Sequence, residues 1–321
     1  MNIDSRFEHS DLPNPFWRDS ERGRRITVCG EAFIGPDTKF FAMGSCFAVE
    51  IRKALRSRNR TVYPDYSSIQ FNPSTQMAAK LPERDNINHY DTFVIRQEIE
   101  RAVARRRWKE SDFWSIAPTR FTCDKQWSPT FQDPHRRHIY AKSMADLIDL
   151  SDTISAKIDD GLDKADVAIL TLGLTECWRV KQSGHYAALG PENEKDELFS
   201  LLEFRPTSFL ENYENVSATL DCIASAYPEM KIVITVSPVG LVRTWTGEDV
   251  VRANLQSKST LRSVVGQICR ERPQIVYWPS YEFAAKGDIF QPDGLHVRTD
   301  AIEEIVEAFL RTHSTSTMSR S

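Results

Sequence analysis

The feature that most constrains this fold is an apolar run that turns into a helical pattern within two residues. Residues 40–43 read Phe-Phe-Ala-Met and are followed by Gly44 and Ser45. Apolar side chains then recur at helical spacing through residues 46–57. A strand that passes directly into a helix places its turn at the carboxyl edge of a sheet, where open α/β folds bind ligands, and Gly44 supplies the backbone freedom of such a turn. We therefore predict a strand over residues 39–43, an exposed Ser45 hydroxyl at that edge and a free Ser45 amide.

Further apolar runs alternate with helical patterns along the chain. The runs at residues 166–172 and 231–236 are typical of strands buried on both faces. Shorter strands are predicted at residues 60–63 and 275–278, and helices at residues 143–162, 206–226, 252–272 and 299–312. Residues 178–205 are predicted to be a loop. The alternation predicts an α/β fold, here a three-layer α/β/α sandwich with a mainly parallel, five-stranded, flavodoxin-like sheet.

A long stretch separates the second predicted strand from the third. Residues 64–165 number about a hundred, far more than a usual connection. They include a helical pattern at residues 91–107 with arginines on one face, and then an aromatic segment with Trp108, Phe113, Trp114, Phe121, Trp127 and Phe131. We expect an insertion that packs beside or over the carboxyl edge. Its arginines either meet an anionic substrate or are simply solvated, and its tryptophans either stack on sugar rings or fill a small core.

Around this insertion the chain is expected to form one domain. We predict an irregular lead-in at residues 1–36, a single domain at residues 37–312 and a disordered tail at residues 313–321. Hydrophobic residues make up 40% of the 321 and charged residues 27%, as in ordinary globular proteins. The net charge of −4 disfavours nucleic acid or an anionic membrane surface as a partner.

Location and metal binding are also constrained by the sequence. No apolar run approaches the roughly 20 residues of a membrane helix, and residues 1–25 lack the apolar segment of a secretory signal, so we expect a cytoplasmic protein. The six cysteines contain no CxxC pair, which predicts neither a zinc site nor a disulfide framework. His135 and His138, with Asp133 nearby, could suggest a metal site, but the two arginines between the histidines favour a solvated loop.

One histidine is placed to act on Ser45. An uncharged serine is a weak nucleophile and needs a base that is itself oriented. Asp293 and His296 follow the last predicted strand and precede the last helix, so they should return to the edge that carries Ser45. A carboxylate three residues before a histidine can bond Nδ1–H and leave Nε2 to accept the serine proton. In a purely structural alternative, Ser45 caps the following helix. Cys46 is a rival nucleophile or, as we expect, a small buried residue.

These motifs resemble a known family. Residues 44–48 read Gly-Ser-Cys-Phe-Ala and are similar to the motif that names the GSCFA-domain proteins. Further similar stretches, between residues 40 and 309, are Phe71-Asn72-Pro73, Thr171-Leu172-Gly173, Ser237-Pro238-Val239, Asn254, Ser257-Lys258 and Pro279-Ser280-Tyr281-Glu282. The family resembles the SGNH/GDSL hydrolases. The resemblance implies an α/β/α hydrolase fold with no metal or organic cofactor. It also implies Ser45 as nucleophile, His296 as base, Asp293 as its orienting carboxylate, and acyl groups on carbohydrates as substrates.

One departure from the SGNH pattern bears on the oxyanion hole. Those enzymes carry an Asn in a Gly-x-Asn-Asp turn after the third strand, whereas this chain has Gly173-Leu-Thr-Glu176. An ionised Glu176 has no proton to donate, and one missing donor can cost roughly 10²–10³ in rate. Glu176 is instead expected to bind a sugar hydroxyl or to pair with Arg179. The replacement donors considered are the Ser45 amide, groups of Gly173 or Thr175 and, as the favoured choice, Asn72.

Three functions fit the pattern. The first is an esterase that removes acyl groups, acetyl above all, from a carbohydrate or small metabolite through an acyl-enzyme on Ser45. The second is an acyltransferase that passes an acyl group, for example from acyl-coenzyme A, to a sugar hydroxyl. The third is a carbohydrate-binding protein without catalytic activity. Further candidates for oxyanion or substrate contacts are Gly44, Cys46, Asn254 and Lys258, and Lys258 is equally compatible with a structural role.

Overall fold

The computed structural model describes residues 7–8, 26–28, 30–69, 87–116, 131–137, 139–192, 194–285 and 289–315. Asn72, the favoured oxyanion donor, lies outside these residues, as do Phe121, Trp127 and His138.

Short and long strands alternate with helices along the described chain. The strands are β1 (Phe7–Glu8), β2 (Ile26–Thr27), β3 (Phe40–Gly44), β4 (Val62–Tyr63), β5 (Trp114–Ser115), β6 (Phe131–Gln132), β7 (Tyr140–Ala141), β8 (Val167–Leu172), β9 (Glu176–Val180), β10 (Tyr186–Ala187), β11 (Leu202–Pro206), β12 (Lys231–Val236) and β13 (Val276–Tyr277). The helices are α1 (Cys46–Arg56), α2 (Thr92–Val103), α3 (Met144–Lys164), α4 (Leu198–Leu201), α5 (Phe209–Ala226), α6 (Val250–Glu271), α7 (Ser280–Ala285) and α8 (Thr299–His313). A short 3₁₀ helix spans Glu110–Asp112.

The central sheet has five strands in the order β13-β12-β8-β3-β4, and every neighbouring pair is parallel. Numbered along the chain, this is the order 2-1-3-4-5 of flavodoxin-like sheets. The predicted α/β class and strand order are therefore confirmed. Because all five strands point the same way, the connections that follow β3, β8 and β12 leave the sheet at one carboxyl edge.

Helices cover both faces of this sheet and make the three layers. Alternate side chains of a strand point to opposite faces. Phe41 and Leu170 accordingly pack into a core with α3, α5 and α6, whereas Phe40 and Ile169 pack into a second core with α1 and α8. These two cores hold the carboxyl edge rigidly in place.

The stretch between β4 and β8 is the predicted insertion, and part of it belongs to the main core. It contains α2, the small antiparallel sheet β5-β6-β7 and α3. Leu147, Ile154 and Ile158 of α3 pack against the central sheet, so α3 is also the crossover helix that leads into β8. The insertion is therefore built into the domain rather than attached to its surface.

The loop predicted at residues 178–205 was wrong. β9 pairs antiparallel with both β10 and β11, and Trp178 lies opposite Phe204 in that sheet. Buried Trp178, Val180, Leu198 and Leu202 form a third, smaller core. β9 and β10 form a hairpin across residues 181–185, whereas β11 joins β9 from more than twenty residues away, so the sequence between β10 and β11 gives no local sign of the third strand.

The two ends of the described chain meet beside this domain. β1 and β2, within the predicted lead-in, pair as a two-residue parallel ladder. His313 is buried, and its carbonyl accepts the Ile34 amide at 2.8 Å. The Thr315 amide bonds the Ile34 carbonyl at 3.0 Å, so the chain at residues 313–315 is helical or paired, not a free tail. In the described ranges, no helix is both long and apolar enough to cross a membrane.

Candidate active site

Ser45 lies where β3 becomes α1, as the sequence predicted, but its surroundings differ from the prediction. It is the N-cap of α1, and its Oγ accepts a hydrogen bond from the Phe47 amide at 3.3 Å. The same Oγ lies 3.3 Å from Thr171 Oγ1. Ser45 is only 2% exposed, so the predicted exposed hydroxyl is wrong. Its amide donates to the Thr171 carbonyl at 3.1 Å, because the β3–β8 ladder continues one residue beyond Gly44, and the predicted free amide is therefore also wrong.

Two glycines allow three chain segments to meet at this edge. Gly44 has φ +139°, and a Cβ on it would lie 2.1 Å from the Thr171 carbonyl oxygen. A Cβ on Gly173 would lie 2.5 Å from the Tyr90 carbonyl oxygen and 3.2 Å from Ser45 Cβ. No larger residue fits either position without moving backbone. The turn after β8 is thus pressed against Ser45.

The third segment, residues 87–91, went unrecognised in the sequence. The His89 amide donates to the Gly44 carbonyl at 2.7 Å. The Tyr90 carbonyl accepts the amides of Gly173 and Leu174 at 3.1 and 2.9 Å. Asp91 then caps α2 by accepting bonds from the first amides of that helix. The contacts of His89 and Tyr90 are made by backbone atoms, so no side-chain motif could have revealed them.

Helix α6 also forms hydrogen bonds with the turn after β8. Thr175 donates its amide to Ser257 Oγ at 2.8 Å, and Lys258 Nζ donates to the Gly173 carbonyl at 2.7 Å. The amides of Gly173 and Thr175 are thus occupied in this structure, and the predicted oxyanion role of these two residues stays a prediction. Lys258 is buried, and burial lowers its pKa to about 7 while the nearby Cys46 thiol opposes that shift. Its position under the turn favours the structural role.

Glu176 does not make the expected contact with Arg179, and its role in binding a sugar hydroxyl stays a prediction. Its carboxylate accepts the Thr244 hydroxyl at 2.7 Å and the Trp245 amide at 3.3 Å. Arg179 instead lies 3.5 Å from Glu203 on the neighbouring strand, so the predicted Glu176–Arg179 pair is wrong. Side chains alternate along β9, which puts residues 176 and 179 on opposite faces. Burial raises the pKa of Glu176.

Asp293 and His296 form the pair that the sequence predicted. Asp293 Oδ2 lies 2.7 Å from His296 Nδ1, and its Oδ1 accepts the amides of Leu295 and His296 at 2.9 and 3.0 Å. The bond from the imidazole, followed by these two amides, lowers the pKa of Asp293 to about 2. A carboxylate held this firmly fixes the imidazole orientation and leaves Nε2 available.

The loop that carries this pair lies against the connection that follows β12. A Cβ built on Gly240 would be 3.0 Å from Leu295 Cδ1. Asn254 supports the same connection by accepting the Leu241 amide at 3.0 Å through its Oδ1. Since β12 and β3 run parallel, the pair and Ser45 share the carboxyl edge. Among the described residues no hydrogen bond joins Ser45 to His296, whose side chain is half exposed.

Cys46 is an unsuitable rival to Ser45. Burial raises the pKa of its thiol to about 11, so the nucleophilic thiolate is scarce at neutral pH. Cys46, Cys177, Cys222 and Cys269, the cysteines within the described ranges, are all free.

His135, the described member of the predicted histidine pair, is not in a solvated loop. Asp133, His135 and Arg136 are almost completely buried. Arg136 bonds Glu98 Oε1 at 2.8 Å and the Ser151 carbonyl at 2.9 Å, and these partners satisfy its charge inside the protein. The prediction was wrong because charged residues are read as surface residues unless their partners are known. The part of the chain that the structure describes contains no cluster of His, Cys, Asp and Glu suited to a metal ion.

Solved structures with a similar chain path include three esterases. A family 3 carbohydrate esterase from Clostridium thermocellum is 12% identical, with a TM-score of 0.36 over 85% of this chain and 94% of that one. A family 3 carbohydrate esterase from Talaromyces cellulolyticus is 10% identical, with a TM-score of 0.33 over 85% and 94%. A mutant acetyl esterase with an acetate ion is 9% identical, with a TM-score of 0.36 over 84% and 93%. The likeness is distant in all three cases.

The fold is an α/β/α sandwich. Its carboxyl edge carries a serine after the first strand of the central sheet and an Asp–His pair before the last helix. The sequence matches the model of the GSCFA family over residues 39–309. The protein therefore belongs to the GSCFA family. No curated protein matches it in sequence.

Proposed function

We propose that this protein is a serine-dependent acyl-ester hydrolase in which Ser45, His296 and Asp293 act together. The observation that carries the proposal is the 2.7 Å bond between Asp293 and His296, on the sheet edge where Ser45 ends β3. An imidazole fixed through Nδ1, with Nε2 free to accept a proton, is the base that a serine nucleophile requires.

The proposed reaction has two stages. His296 Nε2 accepts the Ser45 proton while Oγ attacks the ester carbonyl, and Asp293 stabilises the imidazolium that forms. The imidazolium then gives its proton to the leaving alcohol, and the acyl group stays on Ser45. In the second stage a water loses its proton to His296 and attacks the acyl-enzyme, and Ser45 recovers its proton as the carboxylic acid leaves. With a pKa of about 2, Asp293 remains ionised throughout.

Ser45 must leave its resting contacts before it can react. Its Oγ is bonded to the Phe47 amide and Thr171, and no bond to His296 is present. We propose that substrate binding turns the hydroxyl toward His296. The amides of Ser45, Gly173 and Thr175 are all engaged, so the proposed oxyanion donor is Asn72, which lies outside the described residues.

The proposed substrate is an acylated carbohydrate, which follows from the family resemblance. One observation favours the alternative of an acyltransferase. Ser45 is 2% exposed, and shielding an acyl-enzyme from water helps a sugar hydroxyl to compete for it. Both functions use the same three residues and differ in the acceptor of the acyl group.

A fluorophosphonate probe tests the shared chemistry. Wild-type protein should be labelled, and Ser45→Ala should abolish labelling. Cys46→Ala is the matched control, because it changes the neighbouring nucleophile and should still be labelled. If folded wild-type protein is not labelled, the catalytic proposal fails and a carbohydrate-binding protein is favoured. Hydrolysis of p-nitrophenyl acetate, measured with and without an acceptor sugar, then separates the esterase from the acyltransferase.

A further inference from the structure

A cleft of about 630 Å³ lies on the insertion, between the outer face of α2, residues 106–112 and the turn at residues 184–186. Five basic and two acidic side chains line it. The cleft is large enough for a small ligand. Asn215 of α5 also lines it, so its walls come from four separate chain segments and its shape depends on the folded domain.

The basic side chains of this cleft are unequally neutralised. Arg101 bonds Glu98 at 2.7 Å and Asp159 at 3.0 Å, and Arg107 bonds Asp159 at 2.8 Å, so both arginines have acidic partners within the protein. Arg106 and Lys109 are exposed, and neither has an ion pair with a described residue. Two uncompensated positive charges at one wall attract an anionic group.

Two polar groups in the cleft also lack partners. Asn215 is 4% exposed, and although its Oδ1 accepts Arg96 at 3.4 Å, its Nδ2 has no hydrogen-bond acceptor among the described residues. His185 Nδ1 is likewise without a hydrogen bond there, 3.7 Å from Asp112 Oδ1. Buried polar groups are nearly always paired, and these two atoms can bond a ligand in the cleft once their side chains turn toward it.

An aromatic wall leads from the cleft toward the carboxyl edge. The rings of Phe93 and Tyr186 are 4.5 Å apart and tilted by 32°, and both line the cleft. Asp91, two residues before Phe93, pairs with Leu174 in the turn that packs on Ser45. The cleft-lining stretch of α2 covers two turns, or roughly 10 Å. A chain of sugars could therefore extend from the edge into the cleft.

We propose that this cleft binds an anionic saccharide, one whose sugar carries a carboxylate or a phosphate. Arg106 and Lys109 attract the anion, Asn215 and His185 bond its oxygen atoms, and the aromatic rings contact the apolar face of the sugar. The inference that this saccharide carries the ester rests on the proposed function. Binding itself needs no turnover.

Binding is tested by titration calorimetry on the full chain with Ser45→Ala, which prevents turnover. The probes are tetragalacturonate, glucose 6-phosphate and the neutral cellotetraose. Tetragalacturonate or the sugar phosphate should bind, the affinity should fall with added salt, and cellotetraose should bind at least about tenfold more weakly. The stronger of the two anions identifies the source of the charge.

Paired variants locate the site. Arg106→Gln with Lys109→Gln should weaken anion binding about tenfold or more, and Asn215→Asp should weaken it by placing a carboxylate beside the anion. Lys53→Gln with Arg311→Gln is the matched control, because these side chains are exposed on α1 and α8, across the sheet from α2.

Three results would overturn the inference: no binding of either anion at millimolar concentration, equal binding of cellotetraose, or equal loss in the control pair. Each differs from failed fluorophosphonate labelling, which concerns only the proposed catalysis.

Discussion

At the scale of single residues, Ser45 is a helix cap and is also the proposed nucleophile. It caps α1, yet both contacts of its Oγ are 3.3 Å long. Amide-to-oxygen bonds are usually about 2.9–3.0 Å and hydroxyl-to-oxygen bonds about 2.7–2.8 Å, so both contacts are long and a rotation of the side chain can release the hydroxyl. The Asp293–His296 bond is short by comparison, at 2.7 Å. In the proposed mechanism, the base His296 is therefore already fixed, and the nucleophile Ser45 is the part that moves.

Replacing His296 with Asn should lower kcat/KM for p-nitrophenyl acetate by roughly 10²–10⁴, because the general base is lost while the exposed loop still folds. Asp293→Asn should lower kcat/KM as well, since the amide no longer fixes the imidazole. Circular dichroism verifies that the variants are folded. Undiminished turnover in folded His296→Asn would refute the assigned base.

Lys258 gives a pH-dependent test of the buried turn. Its folded pKa of about 7 lies below the ordinary 10.5, so the unfolded chain binds more protons above pH 7 and stability should rise with pH. Wild-type protein should gain up to about 1.4 kcal/mol per pH unit relative to Lys258→Met between pH 7 and 9. Urea unfolding at several pH values measures this difference. Above pH 9 the Cys46 thiol, with its raised pKa of about 11, acts in the opposite direction, because the unfolded chain loses this proton while the folded chain keeps it. If the difference in unfolding free energy between wild type and Lys258→Met is constant or falls between pH 7 and 9, the lowered pKa of Lys258 is contradicted.

At the scale of elements, three turns are pressed together at the carboxyl edge. The connections after β3 and β8 contact each other and residues 87–91 through backbone atoms. The sequence predicted β3, β8 and β12 well, because long apolar runs are local signals. It could not predict which amides at their ends are occupied, since that depends on the register between strands. β11 was missed for a similar reason, as its pairing with β9 is not local.

Gly173→Ala should disturb this edge. Its Cβ would meet backbone at Tyr90, so we expect a loss of about 1–3 kcal/mol in unfolding free energy and reduced fluorophosphonate labelling of Ser45. Gly35→Ala is the control, because its Cβ would meet only Thr38 Oγ1, at 3.8 Å. Urea denaturation and labelling rates measure both effects. Equal stability and equal labelling of the two variants would show that the close approach of Gly173 to Tyr90 is unimportant.

At the scale of the whole molecule, the insertion and the central sheet share one core. The sequence predicted the α/β class and the position of the insertion, but not this sharing. Residues 133–136 show why, because Asp133, His135 and Arg136 are buried among partners such as Glu98, far away in sequence. Burial opposes ionisation of Glu98, but Arg136 and Arg101 hold its pKa well below the usual value. Charge balance of this kind is visible only in three dimensions.

A shared core should unfold as one unit. Native-state hydrogen exchange in increasing urea should therefore give α3 and β8 the same limiting free energy of opening. Residues 181–184, in the exposed turn between β9 and β10, serve as the reference for local opening and should exchange much faster. If α3 opens at a clearly lower free energy than β8, the insertion is a separate unit and the expectation fails.

The pairing of Ile34 with Ser314 has a practical consequence. α8 starts just after His296 at the carboxyl edge and runs to the opposite edge, where residues 313–315 bond the segment before β3. A tag, a fused protein or a solid support attached near residue 34 or residue 314 would therefore be separated from Ser45 by the length of the sheet. In protein immobilised this way, the edge that carries Ser45 faces away from the support. Large polymers should therefore still reach it.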